Sequence, residues 1–270
     1  MELATQGLNR PRDAWLWRLL ATALSFLLFG LGGLCLRLLV FPLLACLPGD
    51  RQRQRERARH TISWLFWRFI RFMAACGVLT YDVQGAERLG RPGQMIIANH
   101  PSLIDVVFLI GLVRRSNCVV KQSLFSNPFT RGPVSSAQYI GNDGSMDMLD
   151  RAVASLQDGQ TLVIFPEGTR TEPGRAPSFH RGAAAIALRG ARVITPVTIK
   201  VNPTTLTRCE PWYRIPDRRV HFSLRVGADI DPQAFASQGP APRASRQLND
   251  HLHQYFIKEL AEDEQPPTEP

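Results

Sequence analysis

The sequence has no C-x-x-C pair, no G-x-S-x-G, no P-loop and no H-E-x-x-H. Five cysteines, at positions 35, 46, 76, 118 and 209, lie at no spacing from one another or from histidine that suits a structural zinc site. They are read as reduced, mostly buried thiols of a cytosolic catalytic domain, because structural disulfides belong to oxidising compartments. Without G-x-S-x-G a serine-nucleophile hydrolase is disfavoured, and without the other two motifs so are P-loop and zincin chemistry. No internal repeat is visible.

What is present is a long chain with positive charge. At 270 residues and 44% apolar content it can bury a sizeable core. A formal charge of +9 favours an anionic partner, and composition alone does not choose between nucleic acid, phospholipid and a phosphorylated metabolite.

Leu19 to Leu36 is a run of eighteen residues without charge. As a helix it would reach about 27 Å, close to the roughly 30 Å hydrocarbon core of a bilayer. It exceeds the apolar core of a cleavable signal peptide and lacks a convincing small-x-small cleavage site. Arg10, Arg12 and Arg18 precede it, and residues 51–59 bring five further arginines and one glutamate. Arg68 and Arg71 then sit among Trp64, Phe66, Trp67, Phe69 and Phe72, a composition suited to a membrane interface. Gly30, Gly32 and Gly33 interrupt the apolar run, so a re-entrant hairpin competes with a single span.

Beyond Tyr81, short apolar runs alternate with helical patterns. Strands are predicted at 94–99, 117–121, 137–141, 161–165, 193–199 and 220–226, and helices near 103–113, 146–157, 180–189 and 243–260. The alternation predicts an α/β fold with a mixed, largely parallel sheet flanked by helices, behind an N-terminal membrane-embedded helical segment. The expected boundaries are 1–80 for the anchoring region, 81–260 for the catalytic domain and 261–270 for a disordered acidic tail.

In open α/β sheets reactive groups collect where strands end and helices begin. His100 follows such a strand, and Pro101 stops it. Ser102 suits an N-cap, which starts the helix at Leu103 and makes Asp105 its third residue. "SLID" therefore reads as a capping box. A carboxylate in a first turn also points back toward the preceding loop, so Asp105 can cap and still orient His100. The oriented imidazole is then a base for a hydroxyl. A second strand end, "TLVIFPEGTR", presents Glu167, Gly168, Thr169 and Arg170, where a glycine admits close backbone approach and an arginine fork suits phosphate. Each stretch alone also reads as an ordinary cap or turn.

Together, "NHPSLID" and "FPEGTR" resemble the glycerolipid acyltransferase family, whose H-x-x-x-x-D motif is matched by His100 and Asp105 and whose F-P-E-G-T-R motif is matched from Phe165 to Arg170. "VVKQSLFSNP" is similar to the family's lysine-containing segment and brings Lys121 toward the site; "FHRGAAAIAL" and the Pro196-Val197 pair match later blocks. The family's second block carries an arginine for the acceptor phosphate, and here Asn142 stands in its place.

The resemblance implies a membrane-bound, thioester-dependent O-acyltransferase of phospholipid biosynthesis. His100 and Asp105 would be catalytic. Glu167, Gly168, Thr169, Arg170 and Lys121 would hold the acceptor and its phosphate, with Asn142 a further acceptor contact. Lys121 or backbone N–H groups near Gly168 would meet the oxyanion. No metal and no cofactor is implied; acyl-CoA or acyl carrier protein would be the donor substrate and membrane lipids the partners. Nucleic acid is not expected, since the aromatics cluster beside the apolar run and not on a basic globular face. The implied location is a bacterial-type inner (cytoplasmic) membrane, with the catalytic domain on the cytoplasmic face. An acceptor without phosphate, such as an aminolipid, and a non-catalytic lipid-binding module remain as alternatives.

Overall fold

A computed structural model of the chain describes residues 14–262 except 173 and 238. Seven strands form one sheet: β1 (Leu79–Gln84), β2 (Gln94–Ala98), β3 (Asn117–Lys121), β4 (Ile140–Asn142), β5 (Leu162–Ile164), β6 (Val193–Asn202) and β7 (Val220–Val226), in spatial order β1-β7-β6-β2-β5-β3-β4. Only the β6–β7 pair is antiparallel. β2 is central and buried at every residue, so it carries apolar side chains on both faces. Ile96 and Ala98 pack on one side and Met95 and Ile97 on the other, following the two-residue pleat.

Nine helices surround the sheet among the described residues: α1 (Trp15–Cys35), α2 (Phe41–Ala45), α3 (Arg51–Ala75), α4 (Asp105–Leu112), α5 (Arg131–Ser136), α6 (Met146–Gln157), α7 (Gly182–Gly190), α8 (Gln233–Ala236) and α9 (Ala241–Glu262). The core on one face takes its helical residues from α2, α3, α4 and α5, and that on the other face from α6, α7 and α9. At Gly111 a Cβ would sit 3.0 Å from the backbone nitrogen of Trp67, so α4 needs glycine to lie this close to α3.

Three departures from the sequence reading have local causes. The strand expected at 137–141 begins only at Ile140, because residues 131–136 form α5 and Gln138 (φ 50°) then reverses the chain. Helix α4 starts at Asp105 instead of Leu103. Edge strand β1, with its polar Thr80, Asp82 and Gln84, has no apolar run to announce it, and places the start of the sheet at Leu79. Residues 263–270, most of the expected acidic tail, lie outside the described residues, as do Arg10 and Arg12.

The Trp15–Ala45 stretch is long and apolar enough to cross a membrane, judged by length and composition. It runs as α1, a π-helical turn over Leu36–Val40, and α2. The three glycines do not break it. Gly33 instead meets the backbone carbonyl of Phe129, where a Cβ would collide. One side of the stretch packs on the domain, with Ala21, Thr22, Ser25, Leu36 and Phe41 buried and Phe29 against Phe66 and Phe69 of α3. The other side exposes leucines 16, 20, 24, 27, 28, 31, 38, 39 and 43, an apolar surface larger than water-facing proteins ordinarily tolerate.

Two arginines read as membrane-flanking charges are interior. Arg18 is 2% exposed and donates to the carbonyls of Arg218 (3.0 Å) and Asp217 (2.9 Å). Arg59 donates to the carbonyl of Ala137 (2.8 Å) and to Gln160 Oε1 (2.7 Å), and burial with nearby Arg55 pushes its guanidinium down to about 10. The cysteines also depart from expectation: only Cys118 is buried, while Cys35, Cys46 and Cys209 are exposed, because helix periodicity and the loop at 209 turn them outward.

Candidate active site

The site grows from the C-terminal end of β2. Asn99, just past the strand, donates from Nδ2 to the carbonyl of Ile199 and accepts the Ile199 N–H at Oδ1, both at 2.7 Å. Its side chain thus extends the β2–β6 ladder by one rung and makes a rigid base for His100. Pro101 turns the chain, and the Ser102 N–H donates to Asp105 Oδ2 at 2.7 Å. This is the acidic half of the expected capping box. The other half is missing, since the buried Ser102 hydroxyl has no partner among the described residues.

The same Oδ2 lies 2.9 Å from His100 Nδ1. An oxygen that accepts from Ser102 accepts from His100 as well if Nδ1 carries the proton, which leaves Nε2 with a free lone pair. Asp105 is fully buried, and desolvation raises its pKa; His100, the Ser102 N–H and the nearby charge of Arg170 oppose that rise. The imidazole is tilted against Phe165 with ring centroids 4.4 Å apart, and it keeps 14% of its side chain exposed. The ring is therefore held on three sides and reachable from solvent.

The second strand end clamps this loop. Glu167 is 5% exposed and accepts the backbone N–H of His100 at Oε1 (2.8 Å), while the Thr171 N–H donates to the His100 carbonyl (2.9 Å). Burial pushes the Glu167 carboxyl up to about 7, with the His100 N–H opposing and the Asp105 charge adding to it. Gly168 sits at φ 66°, a conformation that favours glycine. Arg170 donates from Nη1 to the carbonyls of Leu206 (2.6 Å) and Thr207 (2.9 Å).

Several expected roles look different in place. Glu167, read as a head-group ligand, spends an oxygen on the catalytic loop from a buried position. The N–H of Gly168 donates to the Phe165 carbonyl (3.1 Å), closing a turn, and is not free for an oxyanion. The N–H groups of Thr169 and Arg170 have no acceptor among the described residues and take over that candidacy. Lys121 is exposed at the end of β3, in register with Asn142 on β4 and two strands from β2, which puts its backbone roughly 10 Å from that of His100. Asn142 lies nearer the loop: a Cβ on Gly168 would be 3.9 Å from its Nδ2 and 3.4 Å from Cδ2 of His180. His180 is not singled out by the sequence reading; its place in "FHRGAAAIAL" was the available signal.

The described residues contain no group of three or more His, Cys, Asp or Glu arranged to hold a metal ion. The arrangement can withdraw a proton from a hydroxyl at His100 Nε2 and stabilise the imidazolium through Asp105.

Residues 80–200 match the family model described as Acyltransferase. The chain is 25% identical over 247 residues to a 1-acyl-sn-glycerol-3-phosphate acyltransferase of Pseudomonas aeruginosa, covering 89% of this chain and 90% of that protein. It is 27% identical over 128 residues to a lyso-ornithine lipid O-acyltransferase of the same organism, covering 46% and 49% of the two chains. In fold it is similar to the crystal structure of the 1-acyl-sn-glycerophosphate (LPA) acyltransferase PlsC of Thermotoga maritima, with a TM-score of 0.66 at 20% identity, covering 91% of this chain and 97% of that one. With the His100–Asp105 pair and the Phe165–Arg170 loop meeting at one sheet end, residues 80–200 of the chain belong to the glycerolipid acyltransferase family.

Proposed function

We propose that this protein moves a fatty acyl group from a thioester, acyl-CoA or acyl carrier protein, to the hydroxyl of a lysophospholipid-like acceptor such as 1-acyl-sn-glycerol-3-phosphate. The observation that carries the reading is the 2.9 Å His100–Asp105 contact beside an accessible ring face. His100 Nε2 takes the hydroxyl proton as the acceptor oxygen bonds to the thioester carbon. The tetrahedral intermediate then collapses, the C–S bond breaks, and the leaving thiolate recovers the proton from His100. Asp105 holds the ring and balances its transient charge. The backbone N–H groups of Thr169 and Arg170 would donate to the oxyanion. No step calls for a metal or cofactor.

The catalytic unit, expected at residues 81–260, takes in the whole of β1 from Leu79 and works at the surface of a bacterial-type inner membrane on its cytoplasmic face. The exposed leucines of α1 and α2 support membrane association, which suits an enzyme whose acceptor and product are both lipids. A second reading has its own observation. Asn142 supplies hydrogen bonds without charge where an arginine is expected, which favours an acceptor lacking a phosphate monoester, such as an aminolipid.

The test is acyl transfer by purified protein with labelled thioester and a panel of lysolipids, products identified by mass. His100→Ala should abolish product while leaving folding and vesicle association unchanged. Equal turnover by mutant and parent removes the catalytic assignment.

A further inference from the structure

Arg18 is a buried arginine in an otherwise apolar helix, and the acyl-transfer chemistry gives it no task. Its guanidinium donates to the carbonyls of Asp217 and Arg218, and one turn earlier Trp15 Nε1 donates to the Ile215 carbonyl at 3.1 Å. These acceptors end the irregular segment 203–219 between β6 and β7. The other end of the same segment is held by the catalytic machinery. Arg170 donates to the carbonyls of Leu206 and Thr207, and the N–H of Leu103, two residues before Asp105, donates to the Leu206 carbonyl at 3.2 Å.

Between these two holds the segment also pairs Arg208 with Glu172 at 3.8 Å and buries Thr205, Leu206 and Thr207. Beneath it lies a small cavity of about 20 Å³ whose lining includes Arg18, Thr22, Ile104, Leu206, Trp212 and Phe222. Leu206 (φ 52°) and Cys209 (φ 62°) occupy the left-handed region, which non-glycine residues hold only where surroundings impose it. Outward, Trp212 and Tyr213 are 40% and 60% exposed, and Trp212 leans on Phe26 of α1 with ring centroids 5.7 Å apart. Amphipathic rings beside a leucine-covered helix suit a bilayer interface.

We propose that residues 203–219 form a strap joining the apolar helix to the catalytic loop, with Arg18 as its anchor and hence a positioning residue for acyl transfer. Lipid contact made by α1, Trp212 and Tyr213 is then transmitted through the strap to Arg170 and the wall beside His100. The part concerning turnover rests on the function proposed above; the part concerning the strap does not.

Two measurements on the full-length protein test it. Limited trypsin digestion should cut at Arg208 and Arg214, which are 51% and 76% exposed, at least fivefold faster in Arg18→Met than in the parent, with cleavage at Arg151 unchanged. A double-mutant cycle in acyl transfer should show Arg18→Met and Arg170→Lys to be coupled, the double variant losing at least fivefold less than the product of the single losses. Sites coupled through no shared element behave independently, so a non-multiplicative double variant reports the strap that links them. Arg18→Lys should restore part of both effects. Should Arg18→Met fail to fold, Trp15→Phe removes one donor to the strap and should move both readouts the same way by less. Unchanged strap cleavage overturns the strap, and multiplicative losses in the cycle overturn the positioning role. If the parent transfers no acyl group, the enzyme reading fails while the digestion result still judges the strap.

Discussion

Replacing Glu167 with glutamine should stabilise the protein above neutral pH and leave most of its activity. Glu167 is 5% exposed, and its carboxyl is raised from 4.5 to about 7 chiefly by burial. A group whose pKa is higher in the folded than in the unfolded chain contributes stability that is fully present below about 4.5 and is lost as the pH rises through about 7. At about 1.4 kcal/mol for each pH unit between those values, the loss amounts to about 3 kcal/mol by pH 8. Glutamine carries no charge and still presents an oxygen to the His100 N–H. In detergent micelles its melting temperature relative to the parent should therefore rise between pH 4.5 and 8 by about 5–10 °C for a domain of this size. Glu167→Ala instead leaves the His100 N–H unpaired, a cost of about 1–3 kcal/mol that loosens the catalytic loop and should lower turnover about 5- to 150-fold at every pH. A pH-independent difference in melting between Gln variant and parent refutes the buried, ionising carboxylate; equal turnover in the Ala variant refutes its hold on His100.

Asp105→Asn retains a side chain of the same shape but no charge for the imidazolium, and turnover should drop about 10²- to 10⁴-fold with binding of the acceptor unchanged, as read from kcat and KM separately. Asn142→Arg restores a cation beside Gly168 and should shift an acceptor panel toward phosphate monoesters; unchanged selectivity argues against Asn142 as an acceptor contact. Gly33→Val drives a side chain into the Phe129 carbonyl and should lower the melting temperature by displacing α1, while an unaltered melt shows that the helix does not pack there.

The His100–Asp105 pair was legible because its spacing is local. Five residues across a strand–turn–helix junction bring an imidazole and a carboxylate within reach of each other, and the 165–170 loop follows from another such junction. The apolar helix was legible too, since length and lack of charge suffice. The strands at the sheet centre announced themselves by continuous apolar runs, whereas β1, an edge strand with alternating polar residues, did not.

Sequence by itself therefore determined the family motifs, the α/β class and the presence of a long apolar N-terminal segment, all of which rest on residue type at short spacing. Tertiary structure decided which oxygen Glu167 offers and to whom, that Arg18 and Arg59 face inward, and that Arg170 grips the carbonyls of Leu206 and Thr207. Those partners lie 36 to 200 positions away along the chain. Whether a charge is solvated or buried against carbonyls depends on what the fold packs over it, and residue type at short spacing carries no information about that.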